Sequence, residues 1–205
     1  MLTEGDGLTH GAKRNYLKKP EVWRAHDPAL FDELAKAPAS PQLSGPQRIE
    51  AEGIVPGATF FNEFVPDNRT ERDSFHARCM AALADRDLVF FDPDNGLGVK
   101  SAPKGWKRSS KYVMLDEVAD HYGAGRSVLI YQTFGQRLSR KAFVEGKEAN
   151  LRAALAGASV SAFDTAHVVF LLAAHPEHAK RVAATATKLA PDKRPSKFLS
   201  PTVDL

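Results

Sequence analysis

Cysteine occurs once in these 205 residues, which excludes an internal disulfide and any cysteine-rich metal centre. That one thiol, Cys79, falls at helical spacing with Phe75 and Leu83 and reads as a core residue. Long apolar runs are missing too. None approaches the roughly 20 residues that span a bilayer. The start, Met1-Leu2-Thr3-Glu4-Gly5-Asp6-Gly7, has neither the basic nor the apolar part of a secretory signal. The sequence therefore predicts a cytoplasmic protein with no membrane partner. Several catalytic signatures are also lacking. There is no Gly-x-Ser-x-Gly nucleophile turn and no Gly-Lys-Ser/Thr phosphate loop, and the 7 histidines are scattered without the spacing of a zinc helix.

What is present is an ordinary globular composition, 43% hydrophobic and 26% charged. The net charge of +3 conceals an asymmetry. Residues 1–99 carry 11 Lys/Arg against 16 Asp/Glu, whereas residues 100–147 carry 10 against 4. A concentrated positive stretch suits a phosphate-bearing partner, although a charge run is more often a solvated face.

The most informative run is Asp87-Leu88-Val89-Phe90-Phe91-Asp92-Pro93-Asp94-Asn95-Gly96. Four apolar residues stopped by turn formers read as a buried strand of a parallel sheet. Open α/β sheets bind ligands beyond the carboxyl ends of their strands, so Asp92, Pro93, Asp94 and Asn95 become the candidate catalytic group. The competing reading is a polar turn and nothing more, since each of these residues is a common turn former.

The rest of the chain predicts one α/β domain over residues 1–190 and a loose tail over 191–205. Helices are expected over 20–37 (interrupted near Pro28), 67–83 (capped by Asp67 or Thr70), 137–155 and 176–189. A further helix, started by Ser109 or Ser110, would carry Met114, Val118 and Tyr122. Residues 38–46 read as a loop. Strands are expected at 54–61, 88–91, 127–131, 160–163 and 168–174, the last two as a hairpin. This order predicts a three-layer, Rossmann-like sheet, mostly parallel, closed by a C-terminal antiparallel hairpin.

Two more groups could join the site. The Gly-rich turn Thr3, Glu4, Gly5, Asp6 and Gly7 would let backbone approach a cofactor, though a loose terminus accounts for it almost as well. The basic set is Lys100, Lys104, Lys107, Arg108 and Lys111, with Trp106 among them, joined by Arg137, Arg140 and Lys141, and Tyr131 and Gln132 end their strand nearby. Cations contact phosphates and an exposed ring stacks on a base. Trp106 folded back on the sheet, or Tyr131 on the core rim, is equally consistent with the pattern.

The segment 88–96 resembles motif IV of the S-adenosylmethionine-dependent methyltransferases that modify base amino groups, where an acid or asparagine and prolines follow an apolar strand. The layout is similar to that of single-domain ribosomal RNA adenine methyltransferases. Phe91-Asp92-Pro93-Asp94-Asn95-Gly96-Leu97 with Leu129-Ile130-Tyr131-Gln132 also looks like a bacterial family of uncharacterised proteins, whose members begin with a longer N-terminal segment. The resemblance implies S-adenosylmethionine as cofactor at residues 3–7, Asp92 holding the acceptor, and a nucleic acid or nucleotide as substrate. Asp94 and Asn95 stand where the family has a second proline and an aromatic, so stacking would come from Trp106 or Tyr131.

Two other readings remain open. Asp92-x-Asp94 after a strand is also how haloacid-dehalogenase-like phosphatases begin their site. Asp92 would then be the nucleophile, Asp94 the acid, Mg²⁺ the bridging ion, and Thr133 and Lys141 the phosphate contacts. Alternatively, the chain binds nucleic acid without catalysis.

Overall fold

Leu88, Val89, Phe90 and Phe91 alternate exposed and buried, and that alternation decides how the sheet is built. In the computed structural model, residues 15–37, 45–135, 138–165, 167–188 and 200–202 are described. The chain divides into two compact units, Glu4–Phe60 and, for its main part, Phe61–Leu205.

The first unit is helical where described: α1 (Pro20–Trp23), α2 (Pro28–Ala35) and α3 (Gly45–Ala51). Pro28 opens α2, with the Asp27 side chain accepting the Leu30 N–H at 3.0 Å. Arg48, buried to 2% exposure, donates to the carbonyls of Glu33, Leu34 and Lys36 and pairs with Glu52. It thereby satisfies the carbonyl end of α2. Residues 45–51, within and beyond the expected loop, are helical instead. The expected strand at 54–61 does not form, because Gly53 and Gly57 take left-handed turn conformations around Pro56.

The second unit holds α4 (Arg69–Ala82), β1 (Leu88–Phe91), β2 (Gly96–Leu97), β3 (Tyr112–Val113), α5 (Leu115–Gly123), β4 (Ser127–Thr133), α6 (Arg140–Ala154), β5 (Ser159–Asp164), β6 (Val168–Ala174), α7 (Ala179–Lys188) and β7 (Ser200–Thr202). The main sheet runs β1-β4-β6-β5-β7, and β2 and β3 form a small parallel pair. The predicted hairpin is there, but the sheet is not mostly parallel. Only the β1–β4 pairing is parallel in it, because the returning strand β6 inserts between β4 and β5 and runs against both. Every pair beyond β4 is therefore antiparallel. The architecture is a mixed α/β sheet, open rather than closed into a barrel.

One face of the sheet carries Val89, Phe91, Val128, Ile130, Val169 and Leu171. Cys79 and Leu83 of α4, Val118 and Tyr122 of α5, and Val144, Leu151 and Leu155 of α6 cover it. The opposite face carries Leu129, Phe163, Phe170 and Leu172, and Val182 of α7 packs on it. Leu88 and Phe90 project from that face at 50% and 51% exposure.

Two caps differ from expectation. Asn68 caps α4, accepting from the Glu71 N–H at 3.1 Å. α5 starts at Leu115, with Glu117 folding back to accept the Met114 N–H, so Ser109 and Ser110 belong to a separate 3-10 turn. Glu117 does more than cap. Its carboxylate takes the buried Arg72 guanidinium in a two-point pair at 2.6 and 2.9 Å, while Arg72 also donates to the Ser109 and Tyr112 carbonyls. Removing one partner of such a pair costs about 3–5 kcal/mol, chiefly by leaving the other charge buried.

Behind β1, His121 is fully buried, its ring edge-on to Phe91 and its Nδ1 2.9 Å from Arg126 Nη1. Burial first, then the Arg126 charge, push its imidazole down to about 3. An unfolded histidine titrates near 6.5. Below that pH the unfolded chain binds a proton that folded His121 refuses, so stability is complete above about 6.5 and is lost as the pH falls towards 3. Urea unfolding of His121→Gln should show a shallower loss over this window than the wild type. Parallel profiles would refute the assignment.

Candidate functional site

Asp92, Pro93, Asp94 and Asn95 leave the carboxyl end of β1 as a turn that runs straight into β2. Pro93 is fully buried and so anchors the turn at its second residue. Asn95 donates its N–H to the Lys111 carbonyl at 2.9 Å, which brings the end of the basic loop alongside. The neighbouring strand end completes the fixation. Gln132, only 2% exposed, receives the Leu97 N–H at 2.9 Å and donates to the Asn95 and Thr133 carbonyls at 3.0 and 2.8 Å. The Thr133 hydroxyl donates to the same Asn95 carbonyl at 3.1 Å.

Gly96 is what permits this. Its φ is +96°, and a Cβ there would lie 2.4 Å from three atoms of the Gln132 amide. Both the backbone conformation and the close approach require glycine.

Asp92 keeps an exposed surface, yet the protein around it pushes its carboxyl above the ordinary range, and the Asp94 charge adds to that push. Because water reaches the group, this contributes little to stability. Tyr131 stands within its field. Burial first, and then the Asp92 charge, raise the phenol above its usual value. Asp94 is exposed and pairs with Lys111 Nζ at 3.3 Å.

The basic residues separate into two sets. Lys104 sits among three carboxylates, Asp73 at 2.7 Å, Asp116 at 3.1 Å and Glu117 at 3.7 Å. Burial disfavours its charge, but these carboxylates outweigh that and hold its ammonium above the usual range. It braces the loop and has no cation left over for a phosphate. Arg140 is committed likewise, to Asp164 at 2.7 Å, to the Thr165 carbonyl and to the Phe134 ring. Gln132, expected to face substrate, has both amide protons and its oxygen engaged with backbone. Lys100, Trp106, Lys107 and Arg108 are exposed, Trp106 to 66%. Lys141 is exposed on α6, 3.8 Å from Glu145.

The loop that presents Trp106, Lys107 and Arg108 is held firmly. Asp67 accepts the N–H groups of Arg108 and Ser110, both at 2.7 Å. That grip supports Arg108 in a left-handed conformation, φ 70°, which a side chain other than glycine's rarely adopts. Thr3, Glu4, Gly5, Asp6, Gly7 and Arg137 lie outside the described residues.

Sequence reasoning missed Phe90 and Phe170 as site residues. Phe90 could have been found from alternation alone, since it shares a face of β1 with Leu88, opposite the buried Val89 and Phe91. The Thr133 hydroxyl is spent on Asn95, and no three His, Cys, Asp or Glu side chains among the described residues stand together as a metal site.

Comparison with family models, curated proteins and solved structures finds no match to this chain. The case for function therefore rests on the site itself.

Replacing Gly96 by Ala should destabilise the protein by about 3 kcal/mol, from the strained φ and the collision with Gln132. In Gly96→Ala with Gln132→Ala the cost should fall short of the sum of the two single changes, because the collision is gone. Chemical denaturation measures both, and strict additivity would contradict the contact.

Proposed function

We propose that the carboxyl ends of β1 and β4 hold a nucleotide or nucleic-acid base for methyl transfer, as in the amino-methylating enzymes that the Asp92-Pro93 turn resembles. The observation that carries this reading is the rigid presentation of one acid. Pro93 is buried and Gln132 fastens the turn beyond it, so Asp92 has a fixed place beside Tyr131 at the end of a parallel strand pair. Ligands of open α/β sheets bind at such ends. A parallel pair followed by an antiparallel hairpin, with α4, α5 and α6 on one face and α7 on the other, also supports a Rossmann-like three-layer sheet.

In this role the Asp92 carboxylate accepts a hydrogen bond from the exocyclic amine of the base and aims its lone pair. Methyl transfer depends largely on such positioning. Lys111, which already lies beside Asp94, and Lys107 and Arg108 on the braced loop supply positive charge for phosphates. S-adenosylmethionine would supply the methyl group. Its fit to this chain rests on Thr3, Glu4, Gly5, Asp6 and Gly7, which are outside the described residues, so no step is assigned through it.

Calorimetry of the full chain should detect binding of S-adenosylmethionine. Incubation with labelled cofactor should place methyl groups on RNA, DNA or free nucleotides, and Asp92→Ala should lower that rate about a hundredfold, the usual effect of removing one positioned polar group. Thermal unfolding of the variant should match the wild type. Absence of both cofactor binding and transfer would overturn the methyl-transfer reading.

A further inference from the structure

The open face of the sheet carries a feature that neither the Asp-Pro turn nor the basic loop accounts for. Phe90 of β1, Tyr131 of β4 and Phe170 of β6 lie on three adjacent strands and face away from α4, α5 and α6, on the side of the sheet that α7 partly covers. Tyr131 and Phe170 are cross-strand partners, with ring centroids 5.7 Å apart and edge to face, while Phe90 and Phe170 are 6.4 Å apart. Phe90 remains 51% exposed and the other two are half-buried. Phe170 also packs against Phe163 and Leu172 in the smaller cluster on this face. Packing on the helices uses the opposite side chains of the same strands, Val89, Phe91, Val128, Ile130, Val169 and Leu171.

We propose that Phe90, Tyr131 and Phe170 form a stacking shelf for the unpaired bases of a single-stranded nucleic acid, with Asp92 reading the edge of the base that reaches the strand end. Three observations favour this occupant. The exposed surface is made of aromatic rings, and every base has a π-face that stacks on such rings irrespective of its sequence. The shelf ends at a polar group, since Asp92 follows β1 two residues beyond Phe90, is exposed as Phe90 is, and shares an electrostatic field with Tyr131. Charge complementarity adds to this. Lys111, at the end of the basic loop, pairs with Asp94 of the turn beyond Asp92, and the segment leading into Lys111 exposes Arg108, Lys107 and Trp106. Aromatic side chains on a sheet, bordered by cations, are how single strands are commonly recognised.

A duplex does not suit the shelf, because paired bases keep their faces stacked on one another. The shelf passes on its other side into a cavity of about 430 Å³ under α7, where Phe170 meets Leu129, Leu172, Phe163 and Val182.

This inference rests on the Asp92 reading for the orientation of the base, and on the shelf's own geometry for the class of ligand. The test is fluorescence anisotropy of the full chain with short labelled single-stranded and duplex oligonucleotides, without S-adenosylmethionine. Single strands should bind at least tenfold more tightly than duplexes. Phe90→Ala, which removes an exposed ring and leaves the core intact, should weaken single-strand binding about tenfold, a single stack's worth. Its salt dependence should be unchanged, because no cation is lost. Phe90→Trp should restore binding, and Lys107→Glu with Arg108→Glu should reduce the salt dependence instead.

Equal binding of duplex and single strand, or unchanged affinity in Phe90→Ala, would overturn the shelf. A wild-type dimer that Phe90→Ala dissolves, with no effect on oligonucleotides, would also overturn it and assign this face to a second copy of the chain. Methyl transfer to a free nucleotide without single-strand binding would remove the shelf and leave the Asp92 reading standing. Single-strand binding lost in Phe90→Ala, without any methyl transfer, would support the shelf and remove that reading.

Discussion

Gln132 ties the end of β4 to the turn after β1 through two hydrogen bonds, from the Leu97 N–H and to the Asn95 carbonyl, and the placement of Asp92 depends on that tie. A turn of Asp, Pro, Asp, Asn and Gly would otherwise sample many conformations, at a cost of about 1–2 kcal/mol per residue to order. Here the backbone polar groups of Asn95 and Leu97 are met by a buried amide, and Gly96 gives the amide room. A second tie comes from the other side, where Asn95 meets Lys111 and β2 pairs with β3. The loop carrying Trp106, Lys107 and Arg108 is drawn to the same place by Asp67, and the Arg72–Glu117 pair beneath it fastens α4 to α5. The candidate site is therefore rigid from below as well as from the side.

Rigidity of this kind has a chemical use. An acid that has to orient an incoming group gains from having few conformations of its own to lose. The buried charges are arranged accordingly. Arg72, Lys104 and Glu117 are spent on one another, while Lys107 and Arg108 are left at the surface of the loop they help to shape. The basic segment that looked uniform in sequence thus contains bracing residues and presenting residues, distinguishable only by what lies opposite them.

That distinction marks where the sequence stops being informative. Leu88–Phe91 and the hairpin of β5 and β6 were legible because apolar runs bounded by turn formers have few alternatives. α4 was legible from Phe75, Cys79 and Leu83 at helical spacing. The strand order was not, since nothing local in Val168–Ala174 says that it will insert beside β4 and turn the rest of the sheet antiparallel. Gln132 was read as a ligand contact because a polar residue at a strand end looks the same whether it faces solvent or a backbone loop 35 residues earlier. Asp67 was read as a helix cap for the same reason: its partners, Arg108 and Ser110, are distant in sequence. Phe90, by contrast, was readable from alternation and lay hidden in a run of four apolar residues.

Ligand binding at the carboxyl ends of β1 and β4 is the proposal on which the functional reading stands. The most direct measurement is backbone amide chemical-shift mapping of the full chain as a short single-stranded oligonucleotide is added. The account predicts that the largest shifts fall on residues 90–97 and 131–133 and on the loop around 106–111. Shifts confined to α6 and α7, with residues 90–97 unmoved at saturation, would contradict it.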